Sequence, residues 1–254
     1  MQTFTAGWIK DVLDTRDIQY KAGPNIVSKL QSDLRLYCSP VIDQGNIGSC
    51  TACATVALIQ FVRNKQKYAN WTPSPLFTYY ASRLIENTVD IDSGASVRDA
   101  IKSTFKYGVA PELYWKYNTS KFKVKPPVSV WTEAVKHSTM QYQRIDNTNL
   151  NNLTSCINEG YPFVFGMNAY NSFISQKVAS TGIVPIPNIK KESLLGGHCM
   201  LGVGYQTLNN VSHIIVQNSW GRNWGLAGFC MIPTSYLTNT NYADDFWTIR
   251  STKN

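Results

Sequence analysis

The spacing of apolar residues changes period midway along the chain. In the first half they recur at helical intervals. Trp8, Ile9, Val12 and Leu13 give a weak helical stripe in a polar leader, and Gly23 and Pro24 break it before a second start at Asn25. The run from Cys50 to Lys65 is apolar with a basic end. That is the pattern of a buried helix which Ser49 would cap and Arg63 and Lys65 would complement at its C-terminus. Pro73-Ser74-Pro75 opens a second helix through Leu76, Tyr79, Tyr80 and Leu84, and residues 96–107 read as a third, ended by Gly108. In the second half the apolar runs are short and bounded by Gly or Asn, at residues 161–167, 199–205, 213–218 and 228–232. Helices first and strands later predict an α+β fold of two lobes, a helical N-terminal lobe and an antiparallel β C-terminal lobe, with a cleft between them.

Composition narrows the class. With 254 residues, 43% apolar and 16% charged, the chain can bury a sizeable core and is neither disordered nor fibrous. Twenty-four Lys and Arg against 16 Asp and Glu leave a net charge of +8, a sign that suits nucleic acid or an anionic membrane. The basic residues are dispersed, however. The densest stretch is Lys121, Lys123 and Lys125 around Phe122, so nucleic acid is not expected to be the primary partner. No apolar run approaches the roughly 20 residues of a membrane span. Residues 1–10 lack the apolar stretch of a secretory signal, so a disulfide-poor protein of an intracellular compartment or a packaged particle is the expectation.

Six cysteines are too scattered for a disulfide scaffold. Cys50-Thr51-Ala52-Cys53 has the spacing of a redox or zinc motif. A zinc site would need a second ligand pair, and the nearest match, His198-Cys199, has adjacent ligands. A thioredoxin-like motif would need a compact βαβ unit, which the loop at residues 44–49 does not suit. No metal and no cofactor are expected.

Of the three histidines, His198 follows Gly196-Gly197 at the mouth of a strand, where small neighbours leave the ring approachable. His137 falls on a polar, exposed helix, and His213 opens a strand as a structural residue. Cys50 sits at a helix N-terminus, where free N–H groups and the helix dipole lower a thiol pKa. Asn218 comes 20 residues after His198 and can orient its ring. Gln44, six residues before Cys50, can donate its side-chain N–H to an oxyanion alongside the Cys50 backbone N–H.

Gln44-Gly45, Gly48-Ser49-Cys50, Gly197-His198 and Asn218-Ser219-Trp220-Gly221 together resemble the signature blocks of the papain-like (cathepsin-type) cysteine peptidases. Connecting segments at residues 33–35, 75–80, 92–94 and 108–112 match in order, so the likeness runs from about residue 30 to the C-terminus. It implies a papain-like two-lobe fold and a cysteine endopeptidase acting on peptide or protein substrates. Cys50 would be the thiolate nucleophile, His198 its imidazolium partner and Asn218 the orienting amide. Gln44 and Cys50 would form the oxyanion hole and Trp220 would shield the His–Asn hydrogen bond. Gly94 would pair with an extended substrate and Gly197 would line the cleft.

The departures from that family are informative. The family usually has a disulfide-bonded cysteine where Ile47 stands and an aromatic residue where Thr51 stands. Cys53 reads as helix core, Cys199 as a buried neighbour of His198, and Cys156 and Cys230 as small core residues. The histidine-bearing loop that closes the cleft in the cathepsin B subgroup is missing: Gly108 follows Gly94 by 14 positions, and no histidine lies between Cys53 and His137. S2 specificity stays open, with Ala179, Gly197, Tyr236 and residues 241–245 as its candidate lining. Two other readings keep the same fold, a catalytically weak or inactive binding protein and an acyl-transfer enzyme using the same triad. Residues 1–30 read as a short pro-like extension of a zymogen, packed on a 31–254 peptidase domain through Trp8, Ile9 and Leu13, with a processing site near residues 21–28, or equally as an N-terminal arm that simply packs on the surface.

Overall fold

The computed structural model describes residues 4–23, 26, 29–68 and 71–253. In chain order its elements are β1 (Trp8–Ile9), β2 (Ser32–Asp33), α1 (Cys50–Lys65), α2 (Pro75–Glu86), β3 (Ala95–Ser96), α3 (Val97–Lys106) and α4 (Val128–Ala134). There follow β4 (Thr139–Ile145), α5 (Leu150–Asn158), β5 (Phe163–Tyr170), α6 (Gln176–Thr181), β6 (Leu194–Leu208), β7 (Val211–Gln217), β8 (Phe229–Pro233), α7 (Thr234–Leu237) and β9 (Ala243–Thr252).

The three helices read from the sequence are present. α1 is buried along nearly its whole length because it lies against the sheet: Leu58, Ile59 and Val62 pack with Leu201, Val203, Ile215 and Trp247. Ser74 caps α2 by accepting the Phe77 N–H, and Ser96 caps α3 by accepting the Asp99 N–H. Ser49 does not cap α1 with its side chain. Its hydroxyl is drawn instead to the Tyr117 hydroxyl, 2.5 Å away.

The second lobe is an antiparallel sheet in the order β4-β9-β5-β6-β7-β8, with β2 on β6. Its core gathers Phe163, Phe165, Met167, Met200 and Phe246 under Trp220 and Trp224. β4 and β9 were not apparent in the residue pattern. β4 shows no clean alternation, and β9 carries two aspartates at its start. α+β is the fold class.

The leader departs from its helical reading. Trp8 and Ile9 form a two-residue strand parallel to β3, Trp8 opposite Ala95 and Ile9 opposite Ser96. Pairing across the cleft overrides a weak helical stripe, so the apolar side chains split: Trp8 turns inward while Ile9, Val12 and Leu13 are exposed. Leu13 therefore does not anchor the segment. Of the proposed processing stretch, Pro24, Asn25, Val27 and Ser28 lie outside the described residues.

Candidate active site

The N-terminus of α1 faces β6 and β7 across the cleft and brings the expected residues to one place. Cys50 opens α1, and its thiol meets the backbone N–H groups of Cys50, Thr51 and Cys199, the last adjacent to His198 on β6. His198 Nε2 lies 2.7 Å from Asn218 Oδ1, while Nδ1 has no hydrogen-bond partner among the described residues. With Nε2 bonded to the amide oxygen it carries the proton, which leaves Nδ1 as the nitrogen available to the thiol. Asn218 Oδ1 also accepts the Ser219 N–H at 2.8 Å, which fixes the amide. The Trp220 ring covers this pair, its centroid 4.8 Å from the imidazole at 31° between planes.

Gln44 is fully buried and held at both ends. Its Oε1 accepts from Ser219 Oγ at 2.6 Å, and its Nε2 donates to the Ile47 carbonyl at 3.1 Å. The Tyr117 hydroxyl donates to the Gln44 carbonyl at 2.8 Å and also meets Ser49, bracing the loop from behind. Tyr117 carried no sequence signal, because its role comes from a residue remote in the chain. The tie between the loops that flank the cleft is Asp92. Its carboxylate accepts the Gly48 N–H at 3.0 Å and the Tyr79 hydroxyl, and that hydroxyl in turn accepts the Gly94 N–H at 3.1 Å.

The leader runs through this cleft. Phe4 stands edge-on to His198 and Trp220, with ring centroids 5.9 and 6.0 Å away. The Gly7 N–H donates to the Gly197 carbonyl at 3.0 Å, and the Ala95 N–H donates to the Gly7 carbonyl at 2.9 Å. Gly197 lies along the path of the leader, and the leader pairs with Ala95, the residue after Gly94. Gly7 passes so close that a Cβ built on it would collide with the Gly48 carbonyl and stand 2.8 Å from Cys50 Sγ.

Past the cleft the leader is clamped by charge. Asp11 accepts from Trp247 Nε1 at 2.9 Å and from the Arg98 N–H at 3.1 Å, and faces Arg144 at 3.3 Å. Arg98 and Asp17 form a nearly buried ion pair at 2.5 Å. Lys10 reaches Asp244 at 2.8 Å.

Burial sets the protonation of the site. Cys50 and His198 are both fully enclosed. Desolvation pushes the thiol up to about 12 despite its three N–H neighbours, and pushes the imidazole down to about 4 despite Asn218. The thiolate–imidazolium pair expected of a resting enzyme is therefore a neutral thiol and neutral imidazole in this closed arrangement.

His213 is buried in β7 with Nδ1 2.8 Å from the Val211 carbonyl. His137 is not on an exposed helix. It follows the end of α4, half-buried against Trp71 and within 3.4 Å of Glu133. All six cysteines are free thiols, with Cys53, Cys156, Cys199 and Cys230 buried. Among the described residues no group of three or more His, Cys, Asp or Glu is arranged to hold a metal ion. Among the same residues no helix is long and apolar enough to cross a membrane. Ala179 lines a separate cavity with Phe4, Trp220 and Trp224 rather than a site with Gly197.

A thiol at a helix N-terminus and an imidazole oriented by an amide, set between a helical lobe and an antiparallel sheet, define a cysteine-type peptidase of papain-like fold. The chain belongs to the papain family of cysteine proteases, whose domain matches residues 30–246. It is similar to the uncharacterized peptidase C1-like protein L477 of Acanthamoeba polyphaga mimivirus, 38% identical over 96% of this chain and 86% of that one. Xylellain, a cysteine protease from Xylella fastidiosa, superposes with a TM-score of 0.90 at 37% identity, covering 97% of this chain and 96% of that one. Procathepsin L 3 of Tenebrio molitor, at 18% identity, shares the fold with a TM-score of 0.73 over 93% of this chain and 75% of its own.

Proposed function

We propose that the protein is a cysteine endopeptidase held latent by its own N-terminal segment. The observation that carries this reading is the path of residues 4–9 over Cys50 and His198, through the cleft a substrate would need. Residues 1–30 form the pro-like extension and 31–254 the peptidase domain.

Displacing the segment readmits water, which lowers the thiol pKa and raises that of the imidazole. The proton then passes from Sγ to Nδ1, giving the ion pair. The thiolate adds to the scissile carbonyl, and the oxyanion is held by the Cys50 N–H and by Gln44 Nε2 once it turns from Ile47. His198 returns the proton to the leaving amine as the C–N bond breaks. It then takes a proton from water, which attacks the thioester and releases the acid and the thiol. Asn218 keeps the ring in register through both transfers.

The segment itself is poorly placed for attack, because the Gly7 carbonyl is committed to the Ala95 N–H rather than turned to the oxyanion donors. The decisive experiment is hydrolysis of a fluorogenic peptide library by the full chain beside its Cys50→Ala variant. Cleavage that vanishes with the thiol is the expected result, and equal cleavage by both would refute the assignment.

A further inference from the structure

Trp8 marks a pocket with unusual walls. Its indole lies against two strands that carry no side chain at the point of contact. A Cβ on Gly166 of β5 would overlap the ring, and one on Gly197 of β6 would come within 2.8 Å of Cε3. At the far end stands Asp245, fully buried at the start of β9, with Oδ2 2.9 Å from the indole Nε1. Its two oxygens divide their work. Oδ1 accepts from Arg144 on the body at 2.8 Å. The hydrogen bonds to Oδ2, from Trp8 Nε1 and the Asp11 N–H, both come from the leader. When the leader leaves, a buried carboxylate oxygen loses both donors while its slot stays shaped for a flat ring.

We propose that this pocket is S2 and makes the enzyme selective for substrates that place tryptophan in it, Asp245 being the residue that sets the preference. This rests on the peptidase reading above. Phenylalanine fills the same slot but leaves Oδ2 unpaired, which costs far more than the lost bond alone. A lysine or arginine brings a donor but sets a second positive charge beside Arg144, which Asp245 shares with Asp244 at 3.0 Å, and its flexible chain lacks the flat ring that the glycine walls admit. A neutral aromatic N–H satisfies both demands.

The test is a set of matched fluorogenic peptides that differ only at that position, with Trp, Phe, Leu, Ala or Arg, hydrolysed by the full chain. The closed fraction multiplies every kcat/KM equally, so the ratios report the pocket alone. Trp is expected to exceed Phe by about 10- to 100-fold, as for a hydrogen bond to a charged acceptor, with Arg poorer still. Asp245→Asn should bring the Trp-to-Phe ratio down to a few-fold. Asn is the conservative choice because residue 245 has φ +58°, which Asn tolerates. Gly166→Ala fills the slot without touching the carboxylate and should move the preference from Trp toward Ala, so the proposal stays exposed even if Asp245→Asn fails to fold. Cleavage with a Trp-to-Phe ratio near one, or a ratio unmoved by both variants, overturns this inference alone. No cleavage of any peptide, even after the leader is dislodged by Gly7→Ala, overturns the peptidase reading and this inference with it.

Discussion

Adding one methyl group at Gly7 should switch the protein on. The Gly7→Ala side chain would strike the Gly48 carbonyl and crowd Cys50 Sγ. Both neighbours are rigid: Gly48 is pinned through its N–H to Asp92, and Cys50 begins a fully packed helix. The strain can be relieved only by moving the leader, which also weakens the hydrogen bonds of Gly7 to Gly197 and Ala95. Forcing a methyl into a packed site costs about 1–3 kcal/mol, which biases opening by roughly 5- to 150-fold. Rate scales with the open fraction while that fraction is small, so kcat/KM on a short fluorogenic peptide should rise by the same factor. The assay compares wild type and Gly7→Ala at equal active-site concentration, with thermal unfolding recorded for both. An unchanged or lower kcat/KM in a variant that unfolds at the wild-type temperature would refute the claim that Gly7 is the contact holding the cleft shut.

Three further outcomes follow from the same geometry. Cys50→Ala should abolish hydrolysis with the fold retained, whereas Cys53→Ala, one turn along α1 and hydrogen-bonded to Ser49 and Tyr117 rather than to His198, should keep most of the activity; equal losses would point to a two-thiol mechanism. Asn218→Ala should leave a measurable remnant, since it removes the orientation of His198 rather than either reacting atom, and its pH profile should shift where the imidazole loses its amide partner. Leader docking should weaken as pH rises. Burial first, and then the neighbouring Asp245, raises Asp11 to about 6, so the closed form binds this proton more tightly than the open one. The contribution to closure is full below the ordinary aspartate range and is lost as pH climbs through about 6. Asp245, which burial also raises, titrates together with Asp11, whereas Asp244, held below its usual value beside Lys10, titrates beneath that window. A ¹⁹F resonance of 5-fluorotryptophan at Trp8 should report more open form at about pH 6.5 than at about pH 4, and Asp11→Asn should flatten the change; a flat wild-type profile would exclude Asp11 as the titrating group.

The candidate constellation could be read because the chemistry proposed for it ties residue types to short blocks. Cys50 is tied to a helix start, His198 to a glycine-flanked strand mouth and Asn218 to the turn before Trp220, and each of these leaves a local pattern. α1 and the four strands read from the sequence rest on runs whose period survives without tertiary context. β9 did not, because Asp244 and Asp245 interrupt its apolar run. They serve as the anchors of Lys10, Arg144 and Trp8, and an acidic pair abutting Phe246-Trp247 was the one signal that could have exposed them. The leader misled for the complementary reason. Trp8 and Ile9 are a strand only because β3 and the cleft lie beside them, and nothing within residues 4–13 encodes that neighbour.

The absence of a cysteine at Ile47 also makes physical sense once the cleft is seen in three dimensions. Two loops must be kept in register for catalysis, the one carrying Gln44 and Gly48 and the one carrying Gly94. A disulfide would do so only while oxidised. Here Asp92 spans the same gap, accepting from Gly48 on one side and from Tyr79 on the other, and the Tyr79 hydroxyl passes the constraint on to Gly94. Arg83 locks the Asp92 loop from beneath, donating to the carbonyls of Val89 and Ile91 at 2.9 and 2.8 Å. A carboxylate held by the Gly48 N–H and the Tyr79 hydroxyl keeps this tie at any redox potential. The thiol at Cys50 can then stay reduced, as the chemistry requires, without loosening the walls on which substrate and leader both depend.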